Sequence, residues 1–248
     1  MADAIVVVPC YNEANRLPID QFMAFDSDRY DRKFIFVNDG STDSTLQVLE
    51  SLCARAPSRY YIHNLTRNVG KAEATRAGLL LAFRENPDYV GFWDADLATP
   101  LNAINDFCQL LDSNASIEMI FGARVKLLGR DIRRRALRHY PGRIFATAAS
   151  LMLGLTVYDT QCGAKLFRAT SKMKPLFEEP FVTRWLFDVE IIARIIRARR
   201  GTTLPQAEEA IYEFPLHEWR DVPGSKVKPK DFAVAFVELW TIWRRYLR

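Results

Sequence analysis

The chain has 248 residues, 49% of them hydrophobic and 26% charged, with a formal net charge of +4. That length suits one α/β domain, and that balance excludes general disorder. The longest charge-free stretch, Ile144 to Tyr158, is shorter than the ~20 apolar residues a helix needs to cross a bilayer core, so no membrane span is expected. It reads either as a core helix or as a segment lying in a membrane surface.

Cys10, Cys53, Cys108 and Cys162 show no C-x-x-C spacing, which argues against a zinc site or a redox dithiol and predicts four free thiols in a reducing compartment. Met1 leads straight into a strand, so a cytoplasmic chain without a secretory leader is expected. Two basic surfaces are predicted, one between Lys126 and Arg143 and one at Arg244, Arg245 and Arg248. They call for an anionic partner such as a nucleotide, a phosphorylated acceptor or a membrane face. A nucleic-acid partner is not expected, because the arginines fall in one segment without interleaved aromatics.

In chain order, Ala4 to Pro9 is a β-branched run suited to a strand covered on both faces. It empties into the polar loop Cys10 to Arg16. Lys33 to Asn38 repeats the pattern and empties into Asp39-Gly-Ser-Thr-Asp-Ser44, where Ser41 or Thr42 can cap a helix running through Cys53. Arg59 to Leu65 is a third strand, followed by Asn68-Val-Gly-Lys71 and a helix to about Phe83.

The stretch Tyr89 to Pro100 organises the rest. An apolar run reads as a buried strand that ends in Asp94 and Asp96 and is closed by a proline. Residues two apart on a strand share a face, so both carboxylates can converge on one divalent cation such as Mg²⁺ or Mn²⁺. The plain alternative is a solvated Asp-x-Asp turn.

Ile117 to Arg124 is a fifth strand. Alternation with short connections predicts right-handed βαβ units and a mostly parallel α/β sheet, with its ligands at the carboxyl ends of the strands. Beyond Arg124 the period changes. Arg130, Arg134 and Arg138 follow i, i+4 spacing and are predicted to share one helical face. Asp159 to Arg168 reads as a loop entering a strand, and Trp185 to Glu190 begins a helix to about Arg200. Ala207 to Pro215 has strand character, and Asp231 to Arg248 is an aromatic, basic-ended helix. Its Trp240, Trp243 and Tyr246 recur at helical spacing, and a core role is expected for them.

Taken in order, Pro9-Cys-Tyr-Asn-Glu13, Val37-Asn-Asp-Gly-Ser-Thr-Asp43, Asn68-x-Gly-Lys71, Asp94-Ala-Asp96 and Gly122-Ala-Arg124 resemble family 2 inverting glycosyltransferases with the GT-A fold. Asp159 to Phe167, Arg184 to Glu190 and Trp219 to Lys226 resemble the polyprenyl-phosphate glucose and mannose synthases, the glucose branch most. The resemblance implies one domain over 1–248, with a nucleotide-sugar half (1–124) and an acceptor half (125–248). It implies transfer of a hexose, glucose from UDP-glucose first, onto a polyprenyl phosphate at the inner face of a membrane.

By the same resemblance Pro9, Tyr11 and Glu13 would border the base and ribose, and Asp39 would take the uracil imide. Gly70 and Lys71 would lie at the diphosphate, and Asp94 and Asp96 would carry the ribose and metal contacts. Arg124, Arg130, Arg134 and Arg138 would hold the acceptor phosphate. Two departures stand out. Ala98 replaces a glutamine of the metal motif, for which a water, another oxygen or Gln161 would substitute, and Ala72-Glu73 replaces glycines beside Lys71. A phosphate acceptor, mostly dianionic at neutral pH, attacks without losing a proton. A hydroxyl acceptor would instead need a base, with Asp188 first in line. A nucleotide-sugar-binding protein without turnover is the remaining alternative.

Overall fold

The computed structural model describes residues 2–26, 29–133, 136–222 and 230–248. Its strands and helices, in chain order, are β1 (Ala2–Cys10), α1 (Ile19–Ala24), β2 (Tyr30–Asp39), α2 (Thr45–Arg55), β3 (Tyr60–Leu65), α3 (Lys71–Ala82), β4 (Tyr89–Trp93) and α4 (Ala103–Ser113). There follow β5 (Met119–Ala123), β6 (Asp131–Arg133), α5 (Ala136–Leu153), β7 (Ala164–Arg168), α6 (Phe187–Arg199), the single turn α7 (Ala207–Ala210), β8 (Ile211–Pro215), β9 (Glu218–Arg220) and α8 (Lys230–Ile242).

Seven strands form one sheet in the order β3-β2-β1-β4-β7-β5-β8. All pairs are parallel except those of β7, which runs antiparallel between β4 and β5. The mostly parallel α/β sheet expected from the sequence is therefore present, and its strands come from both the 1–124 and the 125–248 stretches.

The β-branched runs are explained by burial on two sides. Val6 and Val8 pack with Phe34 and Phe36 in one cluster, and Ile5 and Val7 pack with Ile35 and Val37 in the other. Alternate side chains of a strand point to opposite faces, so a strand between two helical layers needs apolar residues at every position. Each fully buried side chain of this kind contributes roughly 1.5–3 kcal/mol.

Three expectations need correction. The helix after β2 starts at Thr45, and neither Ser41 nor Thr42 caps it. Asp43 Oδ1 accepts from the Thr45 amide at 3.0 Å, while Ser41 Oγ accepts from the Asn12 amide at 3.0 Å.

The arginine series does not lie on one helix. Gly129 turns the chain at φ +78°, where L side chains are disfavoured, and Asp131–Arg133 then pairs as β6 with β9. A strand thus separates Arg130 from α5; Arg134 and the side chain of Arg138 lie outside the described residues.

The third correction concerns the C-terminal aromatics. Tyr246 is core at 4% exposure, but Trp240 and Trp243 are 55% and 41% exposed. Residues Trp243–Leu247 form a π-helical turn, closed by Arg248 N donating to Trp243 O at 3.0 Å. The wider turn changes the angular step between Trp243 and Tyr246, so equal spacing does not mean one face.

Candidate active site

The carboxyl ends of β1, β2 and β4 gather their loops at one edge of the sheet. The loops after β1 and β2 are tied together: Asn12 Oδ1 accepts from the Thr42 amide at 2.9 Å, Glu13 N donates to Thr45 Oγ1 at 2.8 Å and Ala14 N donates to Asp43 Oδ2 at 3.3 Å. Asn12 sits at φ +52°, a conformation Asn tolerates better than most residues. Pro9 and Tyr11 are half-buried on this loop and Glu13 is buried.

Asp39 is buried at the end of β2. Its Oδ1 accepts from the Val69 amide at 2.7 Å, and its Oδ2 from Gly70 N and Asn68 Nδ2, both at 3.0 Å. Burial pushes its carboxyl up, and the Val69 and Gly70 amides hold it back. The residue expected to read a base is thus also the clasp that shapes the 68–70 loop.

Lys71 opens α3 and its Nζ lies 2.5 Å from Asp94 Oδ1. Desolvation works against the ammonium, but Asp94, then Asp188 and Asp96, outweigh it and hold the Lys71 pKa above its ordinary value. Glu73 does not face the cleft: its Oε2 pairs with Arg76 Nε at 2.7 Å and its Oε1 accepts from Phe181 N at 3.0 Å. The second departure in the motif, Glu73 beside Lys71, thus puts no carboxylate on the diphosphate side.

Asp94 leaves β4 with its amide bonded to Gly163 O at 2.9 Å. A Cβ at Gly163 would lie 1.9 Å from Asp94 Oδ2, so only glycine fits beneath this carboxylate. Asp96 sits one turn on, its Oδ1 accepting from Ala98 N at 3.1 Å and its Oδ2 facing Arg16 Nη2 at 3.3 Å. Leu97, directly after Asp96, is held at φ +48°, a strained conformation of a kind that clusters at functional turns, so the two aspartates stand in a turn past the end of β4 and not two apart on a strand as the spacing predicts.

Burial, and next the Asp94 charge, push the Asp96 carboxyl up. Such mutual repulsion is what a divalent cation relieves, and two carboxylates are the usual protein share of a Mg²⁺ or Mn²⁺ site. No cluster of three or more His, Cys, Asp or Glu is found among the described residues, so substrate phosphate and water would complete the shell. The donor set fits. Gln161, the proposed substitute for the missing glutamine, lies in the turn two residues before Gly163.

The acceptor-side residues are arranged differently. Arg124 donates through Nε and Nη2 to Asp159 at 2.5 and 2.6 Å, adds its amide at 3.1 Å, and stacks 5.3 Å from the Trp219 ring. Burial opposes the Arg124 charge, but Asp159 more than offsets it and raises the pKa. Asp159 is held in turn by its own amide, which donates to Glu213 Oε1 at 2.6 Å. Arg130 reaches the His217 ring nitrogen Nδ1. Beneath the site Asp188 is buried and paired at 2.5 Å with Lys165, which is fully buried.

Gly163, Lys165, Arg184 and Glu213 were missed in the sequence. A signal existed for two of them: a charge inside the strand-like Ile211-Tyr-Glu-Phe-Pro215, and a glycine in the loop entering β7.

Comparison with known proteins bears on the fold and the family. In fold, the chain resembles glucosyl-3-phosphoglycerate synthase from Mycobacterium tuberculosis in complex with UDP (TM-score 0.65, 18% identity, 98% of this chain and 80% of that one). It also resembles a Pyrobaculum calidifontis mannosyltransferase in complex with GDP-Man and Mn²⁺ (TM-score 0.63, 16% identity, 98% and 64%). In sequence it is 31% identical to a dolichyl-phosphate beta-glucosyltransferase of Dictyostelium discoideum over 98% of this chain and 74% of that protein. The Saccharomyces cerevisiae protein of the same name is 30% identical over 90% and 68%. The model of Glycosyl transferase family 2 matches residues 5–172, a span running from β1 past Asp94 and Asp96 to the end of β7, and the chain belongs to that family.

Proposed function

We propose that the chain transfers glucose from UDP-glucose to a polyprenyl phosphate of the dolichyl type, inverting the anomeric centre. The observation that carries this reading is the pair Asp94 and Asp96 at the carboxyl edge of the sheet, beside Lys71, in a chain matched over 98% of its length by a dolichyl-phosphate beta-glucosyltransferase.

Pro9, Tyr11, Glu13 and Asp39 would line the nucleoside. Lys71, preceded by Gly70, would lie along the diphosphate. Asp94 and Asp96 would hold Mg²⁺ or Mn²⁺, which when bound supplies positive charge opposite the departing diphosphate. Arg124 would present the guanidinium edge left over from Asp159 to the acceptor phosphate, since a bidentate pair with one carboxylate leaves further N–H donors. Arg130 would add charge nearby.

The attacking phosphate oxygen carries no proton at neutral pH, so the chain needs no base. Asp188 supports this by its placement. A base for a hydroxyl acceptor would have to reach the substrate, whereas Asp188 is 5% exposed and tied to Lys165.

No described helix is long and apolar enough to cross a membrane. The acceptor reading is joined to a surface contact through α8 and the π-helical turn after it, where Val234, Phe236, Val237 and Trp240 of α8 and Trp243 of the turn are exposed and followed by Arg244 and Arg245. Apolar and aromatic residues with basic neighbours favour an anionic interface.

The test is a donor screen with Mn²⁺ and a short polyprenyl phosphate. UDP-glucose should give the largest turnover and a β-linked lipid phosphate sugar. Turnover only with a sugar-hydroxyl acceptor would overturn the reading.

A further inference from the structure

The segment 181–186, which crosses from the turn before it into α6, has an unusual set of partners. Its six consecutive backbone N–H groups each donate to a glutamate. Phe181 donates to Glu73 of α3 at 3.0 Å, Val182 and Thr183 to Glu190 of α6 at 3.0 and 2.9 Å, and Arg184, Trp185 and Leu186 to Glu238 of α8 at 3.0, 3.1 and 2.8 Å. Backbone donors outside a ladder must find acceptors, but Val182 and Arg184 are exposed and water would serve them. Carboxylates from three helices fix the path of this strap more firmly than water can. What the rigidity presents to the cleft is one side chain.

The guanidinium of Arg184 lies over Gly70: a Cβ there would be 3.5 Å from Arg184 Nη2 and 3.9 Å from Nε. Gly70 donates to Asp39 and is followed by Lys71, so Arg184 roofs the loop between the base clasp and the diphosphate lysine. Among the cations around the cleft, Lys71 is matched by Asp94, Arg16 by Asp96, Arg124 by Asp159 and Lys165 by Asp188. Among the described residues no carboxylate or carbonyl is bonded to the Arg184 guanidinium. A nucleoside diphosphate brings at least two negative charges into a cleft whose fixed charges nearly cancel, and the Arg184 guanidinium, which feels the Asp39 charge but is not hydrogen-bonded to it, keeps the fork that phosphate oxygens accept.

We propose that Arg184 contacts the diphosphate of the nucleotide donor and that Glu238, reaching across from the C-terminal helix, is the positioning residue that keeps it there. The inference rests on the donor reading above. It adds a phosphate contact from the second half of the chain, and it links that contact to the helix that carries the exposed tryptophans.

Calorimetric titration of the whole chain with UDP and with uridine, in the presence of Mn²⁺, tests it. Wild type should bind UDP, and Arg184→Ala should weaken UDP by about 10- to 100-fold, the value of a charged hydrogen bond, while leaving uridine within about twofold. Arg184→Lys should recover part of the loss. Glu238→Gln, which turns one acceptor oxygen into a donor facing the 184–186 amides, should weaken UDP several-fold in the wild-type background and have no further effect in Arg184→Ala.

Equal UDP affinity in Arg184→Ala and wild type would overturn the inference alone, as would equal losses for uridine and UDP. A raised KM for the polyprenyl phosphate with unchanged UDP affinity would give Arg184 to the acceptor and overturn the donor assignment. A Glu238→Gln loss that persists undiminished in Arg184→Ala would remove the positioning role. A wild type that binds neither UDP nor GDP would overturn the donor reading and this inference with it.

Discussion

The rim formed by the loops after β1 to β4 and the region that follows β5 both concentrate charge, but they are built on opposite plans. In the rim, a carboxylate and its partner stand on loops that the parallel sheet sets side by side: Asp39 with Val69 and Gly70, Asp94 with Lys71, Asp96 with Arg16. After β5, Arg124 is matched by Asp159 and Trp219 and Arg130 by His217, all from distant segments. In the first arrangement adjacent strand ends set Asp39 against 69–70 and Asp96 against Arg16, while Lys71 reaches Asp94 across the ends of β2 and β1. The second depends on β6, β9 and the 158–163 turn all being in place, so its chemistry is more exposed to changes far away.

If the rim is the catalytic edge, its carboxylates should be the most sensitive positions in the molecule. Asp94→Asn or Asp96→Asn removes charge where the diphosphate leaves, and transfer should fall by about 100- to 1000-fold, the scale of losing one preorganised electrostatic contact. Initial rates with UDP-glucose and a short polyprenyl phosphate measure this, with a thermal melt to confirm folding. A loss of less than about tenfold would break the distinction between the regions.

Gly163→Ala is the next largest. Its methyl group would meet Asp94 Oδ2 at 1.9 Å and displace a carboxylate whose charge is unaltered. A displacement of about 1 Å can cost roughly 100-fold, and a smaller loss than that of Asp94→Asn is expected because the carboxylate is moved and not removed. Unchanged kinetics would show that the position of Asp94 against β7 does not matter.

The same contrast explains what could be read in the sequence. β1 and β2 were legible because burial on both faces demands Ile5, Val7, Ile35 and Val37 on one side and Val6, Val8, Phe34 and Phe36 on the other. The rim was legible because short loops after parallel strands must meet at one edge. The antiparallel insertion of β7 between β4 and β5 was not, since no local pattern in Ala164 to Arg168 states its direction. The arginine spacing at 130, 134 and 138 misled because a periodicity argument assumes an unbroken helix, and the partner that makes β6 a strand, Glu218–Arg220, lies some 87 residues further on. Trp243 and Tyr246 misled for a similar reason, since a π turn alters the angle that the spacing was meant to encode.

Arg124 sharpens the comparison from the other region. Arg124→Ala would take the guanidinium from Asp159, whose side chain is 7% exposed and keeps the residue-124 amide, and should destabilise the fold by up to about 3–5 kcal/mol. Arg124→Lys is the cleaner probe: it keeps the charge but loses the bidentate fork. The KM for the acceptor should rise by about tenfold while UDP affinity changes less than about twofold. Equal loss for donor and acceptor would merge the two regions into one site.

The smallest effect, and the one that isolates the membrane arm, is expected at the outer face of α8. Trp240 and Trp243 are only half-buried while Leu239, Ile242 and Tyr246 hold the same segment to the core, so serine at both positions removes the inner sides of two rings but leaves those core contacts in place. The double variant should lose roughly 0.5–3 kcal/mol per position, the ordinary range for a substitution, and still fold. Flotation with anionic vesicles at low salt should nevertheless fall several-fold. An aromatic ring held at an interface contributes through the burial of its apolar body, which serine cannot replace, and Arg244, lying 5.3 Å from the Trp240 ring, would lose its stacking partner. Raising the salt should weaken wild-type flotation further, because the basic residues act through a screened field. If the double variant floats as well as wild type, the exposed tryptophans are not the membrane contact, and the acceptor must reach Arg124 without help from α8.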